Sequence, residues 1–205
     1  MLAFFCAGVP AETGARRILD HLGVSEGEVA AFRYRGDGWP GRATATLRDG
    51  SSRDMSYADS WGSILSKHVQ FRCKICADAV GAAADIVCAD AWDSDARGYP
   101  SFEEQQGRSL IMARTPAGQA LLDQARAAGR IATSPLALEA IQRMQPHQAR
   151  RKQQVSARLA ALALARRPRP VYLGLGVKAA ARREPLIGRL RSFAGLLRRL
   201  LQGRT

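Results

Sequence analysis

The sequence predicts an α+β or α/β body, a mixed sheet with flanking helices, followed by a basic helical C-terminal extension. Three observations lead there. Short apolar runs of strand length alternate with stretches of helical period through the first 130 residues. Hydrophobic residues make up 46% of the 205, enough to supply a sizeable core. Charge is also partitioned: residues 1–130 hold 15 Lys+Arg against 16 Asp+Glu, a net of −1, whereas residues 131–205 hold 16 against 2, a net of +14. The expected organisation is therefore a domain over 1–130 and a basic helical extension with a Pro-containing linker over 131–205.

In chain order, Leu2 to Cys6 reads as a short buried strand that Gly8 and Pro10 end. Ala11, Ala15, Ile18, Leu19 and Leu22 recur at helical spacing, and Gly23 supplies a stop. Phe32 to Arg35, the turn-rich block Gly36 to Gly41, the alternating Ala43 to Leu47 and the Asp49-Gly50 turn predict two or three antiparallel strands. A helix is expected over Tyr57 to Leu65, then a loop holding Cys73 and Cys76. Ala84 to Ala89 reads as a buried strand running into the acidic stretch Asp90 to Asp95 and a glycine- and proline-containing loop through Gly107. Ser109 to Ala113 is a further strand. Thr115-Pro116 is a strong helix start, a hydroxyl cap followed by proline at the first helical position, and that helix runs to Gly129. Ser134-Pro135 opens a helical region from Leu136 to about Ala165 with a break at Pro146. Pro168, Pro170 and Pro185 punctuate a linker, after which Leu186, Ile187, Leu190, Phe193, Leu197, Leu200 and Leu201 form one apolar stripe.

This composition excludes wholesale disorder, and no uninterrupted apolar stretch approaches the roughly 18 to 20 residues that cross a bilayer. The start has no basic leader, so a cytoplasmic location is expected, where thiols stay reduced. The basic pairs of the last third, from Arg150-Arg151-Lys152 to Arg198-Arg199, want an anionic neighbour. The stripe of the last helix, flanked by arginines, predicts peripheral docking on an anionic membrane at its inner face rather than burial in the core, with docking on a partner subunit as the competing reading. Nucleic acid ranks last, because Tyr172 and Phe193 are the only aromatics after residue 130.

Four cysteines, Cys6, Cys73, Cys76 and Cys88, carry the metal reading. The Cys73-x2-Cys76 spacing places two thiolates within reach of one ion, and soft sulfur donors suit an iron–sulfur cluster or zinc. Cys6 is expected at the carboxyl end of its strand, where open sheets collect ligands, so Cys6, Cys73 and Cys76 are expected to converge. Inert burial competes for Cys6 and Cys88, a structural zinc site competes for the pair, and a redox dithiol is disfavoured because no thioredoxin-like unit surrounds it. The acidic run reads as a solvated loop. Gly36, Gly38 and Gly41 read as a turn, with a phosphate approach as the alternative. Arg33 and Arg35 either pair with cofactor phosphates or lie on an exposed strand face. His21, His68 and His147 have no partner constellation.

The blocks Phe5-Cys6-Ala7-Gly8-Val9-Pro10, Phe32 to Gly41, Arg72-Cys73-Lys74-Ile75-Cys76-Ala77-Asp78, Ala84-Asp85-Ile86, Asp90-Ala91-Trp92 and Ser109 to Thr115 resemble, in order and spacing, the C-terminal domain of the deazaflavin-coenzyme (F-420) hydrogenase/dehydrogenase beta subunit family. The resemblance covers roughly residues 3 to 130. It implies an oxidoreductase that passes electrons between a 4Fe-4S cluster, a flavin such as FAD and a further donor or acceptor, with the deazaflavin coenzyme as a candidate and a redox partner subunit. It also implies cluster ligands at Cys6, Cys73 and Cys76 and a cofactor pocket drawing on Gly8, Pro10, Arg33, Arg35, Asp90 and Trp92. For Asp90 and Trp92 a loop cap and a core aromatic are the plain alternatives. Relative to that family the chain looks N-terminally shortened, and it has Cys88-Ala89 where Val-Gly is common. The fourth ligand is thus Cys88, a cysteine of a partner chain, or a residue preceding this start. The alternative function, from a different class, is a non-enzymatic accessory protein whose body is a scaffold and whose basic tail docks it on a membrane or partner.

Overall fold

The computed structural model describes residues 1–93, 95 and 101–203, so part of the loop expected after Asp95, and Ser94 of the acidic run, lie outside the described residues. The chain is α+β. It divides into two compact units, one of residues 1–7, 71–89 and 110–205, the other of residues 8–70 and 90–109. This division by contact runs along a different line from the division by charge near residue 130.

In the first unit, β1 (Leu2–Phe4) pairs in parallel with β5 (Ile86–Asp90), and β6 (Ser109–Ala113) lies on the other side of β5. Bonds from Ala91 N to Arg108 O and from Arg114 N to Asp85 O mark β6 as antiparallel, so the sheet is mixed. The expected burial of β1 is corrected. Its inward residue is Ala3, beside Gly81 and Val87, while Leu2 and Phe4 are each 70% exposed on the other face of an edge strand. In β5, Ile86 and Val87 are buried and Cys88 is exposed opposite Phe4. The Thr115 hydroxyl accepts from Gly118 N at 3.1 Å and starts α3 (Pro116–Ala127), as its sequence requires. Gly118 lies so near the sheet that a Cβ there would sit 2.2 Å from the Asp85 carbonyl oxygen.

The helical third of this unit is continuous with its core. Gln145 breaks α4 (Leu138–Met144) from α5 (Pro146–Leu164), as Pro146 demands, since proline offers no N–H to continue the ladder. A short α6 (Val177–Arg182) occupies what read as linker, and α7 (Leu186–Leu201) follows Pro185. Ala161 and Leu162 of α5, Leu196 and Leu200 of α7, and Ile75 form one buried cluster, with Phe193 and Leu197 packed against it. That replaces the expectation of a final helix lying on a membrane instead of joining a core. Of the stripe, Leu200 is core with Phe193 and Leu197 packed against it, and Leu186, Ile187, Leu190 and Leu201 remain exposed. No helix among the described residues is long and apolar enough to cross a membrane.

The second unit is an antiparallel meander, β2 (Val29–Arg33), β3 (Ala43–Leu47) and β4 (Ser52–Met55), covered by α1 (Glu12–Leu22). Period-two alternation puts Ala43 and Ala45 inward, where they meet Ile18 and Leu19 of α1. Gly23 caps α1 at φ 67° and Gly50 turns the β3–β4 hairpin at φ 84°, both conformations that glycine adopts without a Cβ clash. The helix expected over Tyr57 to Leu65 is present as a wide π-type segment, Ala58–Ile64, in which the buried Ser60 hydroxyl donates back to Ser56 O at 2.7 Å.

Candidate functional site

The cysteines lie in the first unit. Cys73 belongs to a one-turn helix, α2 (Phe71–Lys74), where a plain loop was expected, and Cys76 N donates to Cys73 O at 3.3 Å to close the turn. Ile75, 3% exposed, is the apolar anchor between them and ties the motif into the α5–α7 core. Two further contacts fix it: Tyr172 OH donates to Ile75 O at 2.7 Å, and the Arg158 guanidinium donates to Lys74 O. Beyond Cys76, the Asp78 carboxylate accepts from Val80 N and Ala82 N, shaping the next turn, and Cys76 Sγ donates to Asp78 O at 3.3 Å.

Cys6 comes to the same turn from the carboxyl end of β1. Its N–H donates to Ala79 O at 2.9 Å, and its carbonyl accepts from Arg151 of α5 at 3.2 Å, with a second Arg151 bond to Ala7 O. Cys6, Cys73 and Cys76 are half-buried, Cys88 is exposed, and no disulfide links any of the four. The donor set fits a soft metal by its chemistry, and the backbone brings Cys6 to the turn that follows Cys76. Among the described residues, no three His, Cys, Asp or Glu side chains are grouped to hold an ion. Burial pushes the Lys74 ammonium pKa down, with help from Arg199, and pushes the Tyr172 phenol up, with Cys76 adding to it.

The second constellation lies wholly in the other unit and is built around Arg35. The loop from Gly36 to Gly41 is closed by Arg42 N donating to Gly36 O at 2.8 Å and contains a cis Trp39–Pro40 bond. Arg35 donates to Asp90 Oδ2 at 2.6 Å and to the Pro40 carbonyl, while its guanidinium carbon stands 5.1, 5.5 and 5.0 Å from the ring centres of Trp39, Tyr57 and Trp92. The rings also meet one another, Trp39 and Trp92 at 4.4 Å, and Phe102 closes the group at 5.2 Å from Tyr57 and 5.0 Å from Trp92. Cation–π attraction and a charge-assisted bond in a partly desolvated site hold Arg35 rigidly. Burial raises the Tyr57 pKa, opposed by Arg35 and reinforced by Asp90.

Of the six residues expected to bind a cofactor, the fold gathers Arg35, Asp90 and Trp92. Arg33 points elsewhere and pairs with Asp37. Gly8 and Pro10 flank a segment tied by backbone bonds to residues 68–70, Ala11 N to His68 O and Gln70 N to Val9 O. As arranged, the Arg35 group is not a flavin cradle. Two of the five guanidinium N–H donors go to Asp90 and Pro40, the Arg35 plane is taken up by three rings, and Trp92 is 4% exposed. Sequence reasoning missed the parts played by Trp39, Tyr57 and Phe102. Trp39 lies within a block that the sequence singles out, whereas nothing local to Tyr57 or Phe102 signals a shared cation. In sequence, Arg151 and Arg158 are indistinguishable from the rest of the tail charge.

A family model for the C terminus of the beta subunit of coenzyme F420 hydrogenase/dehydrogenase matches residues 1–139, a span that includes all four cysteines and the Arg35 group. No curated protein matches the chain.

Proposed function

Because this chain belongs to the family defined by the C terminus of the coenzyme F420 hydrogenase/dehydrogenase beta subunit, we propose that it serves as an electron-transfer module whose metal ligands are Cys6, Cys73 and Cys76, with the fourth position filled by Cys88 or a partner chain's cysteine. The family is one of redox subunits that work beside other subunits. The observation that carries the reading is that the family match spans every cysteine of the chain. An iron–sulfur cluster, when bound, supplies one-electron chemistry that no side chain provides. The chain's own residues have simpler tasks. Ile75 anchors the cysteine turn, Arg158 and Tyr172 hold its Lys74 and Ile75 carbonyls, and Arg151 holds the Cys6 carbonyl.

FAD, or the deazaflavin coenzyme, is proposed as the group exchanging electrons with that centre. The Arg35 group does not hold it as arranged and carries no step of the transfer. The test is anaerobic purification with assay of iron, acid-labile sulfide, zinc and released flavin. Iron and sulfide in comparable amounts, lost on Cys73→Ser or Cys76→Ser, support the proposal; stoichiometric zinc without iron rejects it. The second reading is a non-enzymatic accessory role, in which the cysteine turn packed on the α5–α7 core serves as a scaffold. A protein that binds neither iron nor flavin yet co-purifies with a redox partner would establish that reading instead.

A further inference from the structure

Two helical stripes face one another across a cleft of about 550 Å³ in the first unit. From α5 come Arg150, Gln154 and Arg158, spaced four apart, and from α7 come Arg191, Ser192 and Arg199. Gly195, between Ser192 and Arg199, leaves the floor open there, since a Cβ would meet only the Arg199 guanidinium, at 3.7 Å, whereas over Gly188 the Glu184 carboxylate occupies the place a Cβ would take. The volume falls within the roughly 300 to 1,000 Å³ typical of small-molecule sites.

The charge of this cleft is only partly offset, four arginines facing the single carboxylate of Glu184. Among the described residues none of the four arginines forms an ion pair. Arg158, half-buried, satisfies its donors with neutral acceptors: Ser192 Oγ at 3.2 Å, Gln154 Oε1 at 2.9 Å and the Lys74 carbonyl. The lining carboxylate, Glu184, precedes α7 by two residues and accepts from Gln154 Nε2 at 3.0 Å. Burial lowers the Arg158 pKa and the repulsion of Arg151 and Arg199 lowers it further. Cations held together at such a cost mark a place where an anion restores the balance.

We propose that the α5–α7 cleft binds a small soluble molecule carrying two or more linked phosphate groups, through Arg150, Arg158, Arg191 and Arg199. Guanidinium forks match phosphate oxygens two at a time, and four of them on two facing helices suit a di- or triphosphate better than a single small anion. Every lining residue lies beyond residue 139, outside the family-matched span, and the variants tested below leave Arg158, which also holds the Lys74 carbonyl, in place.

The experiment titrates the full chain with inorganic pyrophosphate by calorimetry at about 0.15 M salt, where diffuse surface attraction is largely screened. Saturable one-to-one binding is expected. Replacing two cleft arginines (Arg191→Gln with Arg199→Gln) should weaken it more than about tenfold, each lost contact being charge-assisted. A control that removes the same charge outside the cleft (Arg167→Gln with Arg169→Gln) should change it less than about twofold. Lysines at 191 and 199 should restore part of the affinity, which separates loss of the site from misfolding. No saturable binding, equal weakening in the two double variants, or binding to anionic phospholipid vesicles without binding of free pyrophosphate would each overturn the proposal.

Discussion

Arg35 shows how one side chain organises a loop. It bridges the Gly36–Gly41 turn, through the Pro40 carbonyl, to Asp90, and it fills the space between three aromatic faces. Trp92, 4% exposed, is the central ring of that group, so Trp92→Ala should cost about 3 to 5 kcal/mol in urea unfolding, by cavity formation and lost ring contacts. Arg33→Ala, whose pair with Asp37 is about half exposed, should cost under about 1 kcal/mol. Tyr57 adds a pH dependence with a definite sign. Its folded pKa is raised above the ordinary value of 10.0, so above that pH the unfolded phenol loses its proton while the folded one keeps it. Stability is then fully present below pH 10.0 and falls as pH rises through the folded value. Tyr57→Phe should flatten the alkaline arm of the stability–pH curve; an unchanged arm would refute the assignment.

At the scale of elements, caps and apolar stripes set what can be removed. Thr115→Ala deletes the hydroxyl that accepts from Gly118 N and should cost about 1 kcal/mol, read as a shift of the denaturation midpoint with unchanged slope. Along α7 the leucines are alike in sequence and divided in structure: Leu196, outside the stripe read from the sequence, is 1% exposed, and Leu190, within it, 58%. Leu196→Ala should therefore cost about 2 to 5 kcal/mol, and Leu190→Ala within about 0.5 kcal/mol of zero. Equal effects at the two positions would contradict the packing of α7 on α5. The cysteine turn depends on the same contact, because Ile75 shares a cluster with Leu162 and Leu196.

For the molecule as a whole, the basic tail is a structural part of the unit that holds the cysteines. Ending the chain at Arg183 removes α7 and uncovers Ile75, Ala161 and Leu162, so the shortened protein should lose cooperative unfolding or aggregate. A dispensable docking helix would instead leave the melting curve unchanged, and calorimetry separates the two. The net charge of +13 acquires a local meaning as well. Four of the tail's arginines line one cleft, and a fifth, Arg151, holds the backbone at Cys6 and Ala7.

Features written in nearest-neighbour chemistry were legible without coordinates: the α1 period and its Gly23 stop, the Asp49-Gly50 hairpin, the Thr115-Pro116 start, the break at Pro146 and the extent of α7. Each is set by residues within four positions of one another, where capping, φ restriction and helical or strand period act directly. The blocks around the cysteines and Arg35 also identified the family from sequence. What the tertiary structure decided is everything that closes a long loop. It pairs β1 with β5, leaves Leu2 and Phe4 outward, brings Arg35 to Tyr57, Asp90 and Trp92, and folds α7 onto Ile75 across more than a hundred residues. Apolar spacing marks a face as one that will be covered, but the covering partner is chosen by competition among all such faces for the contacts that bury the most surface.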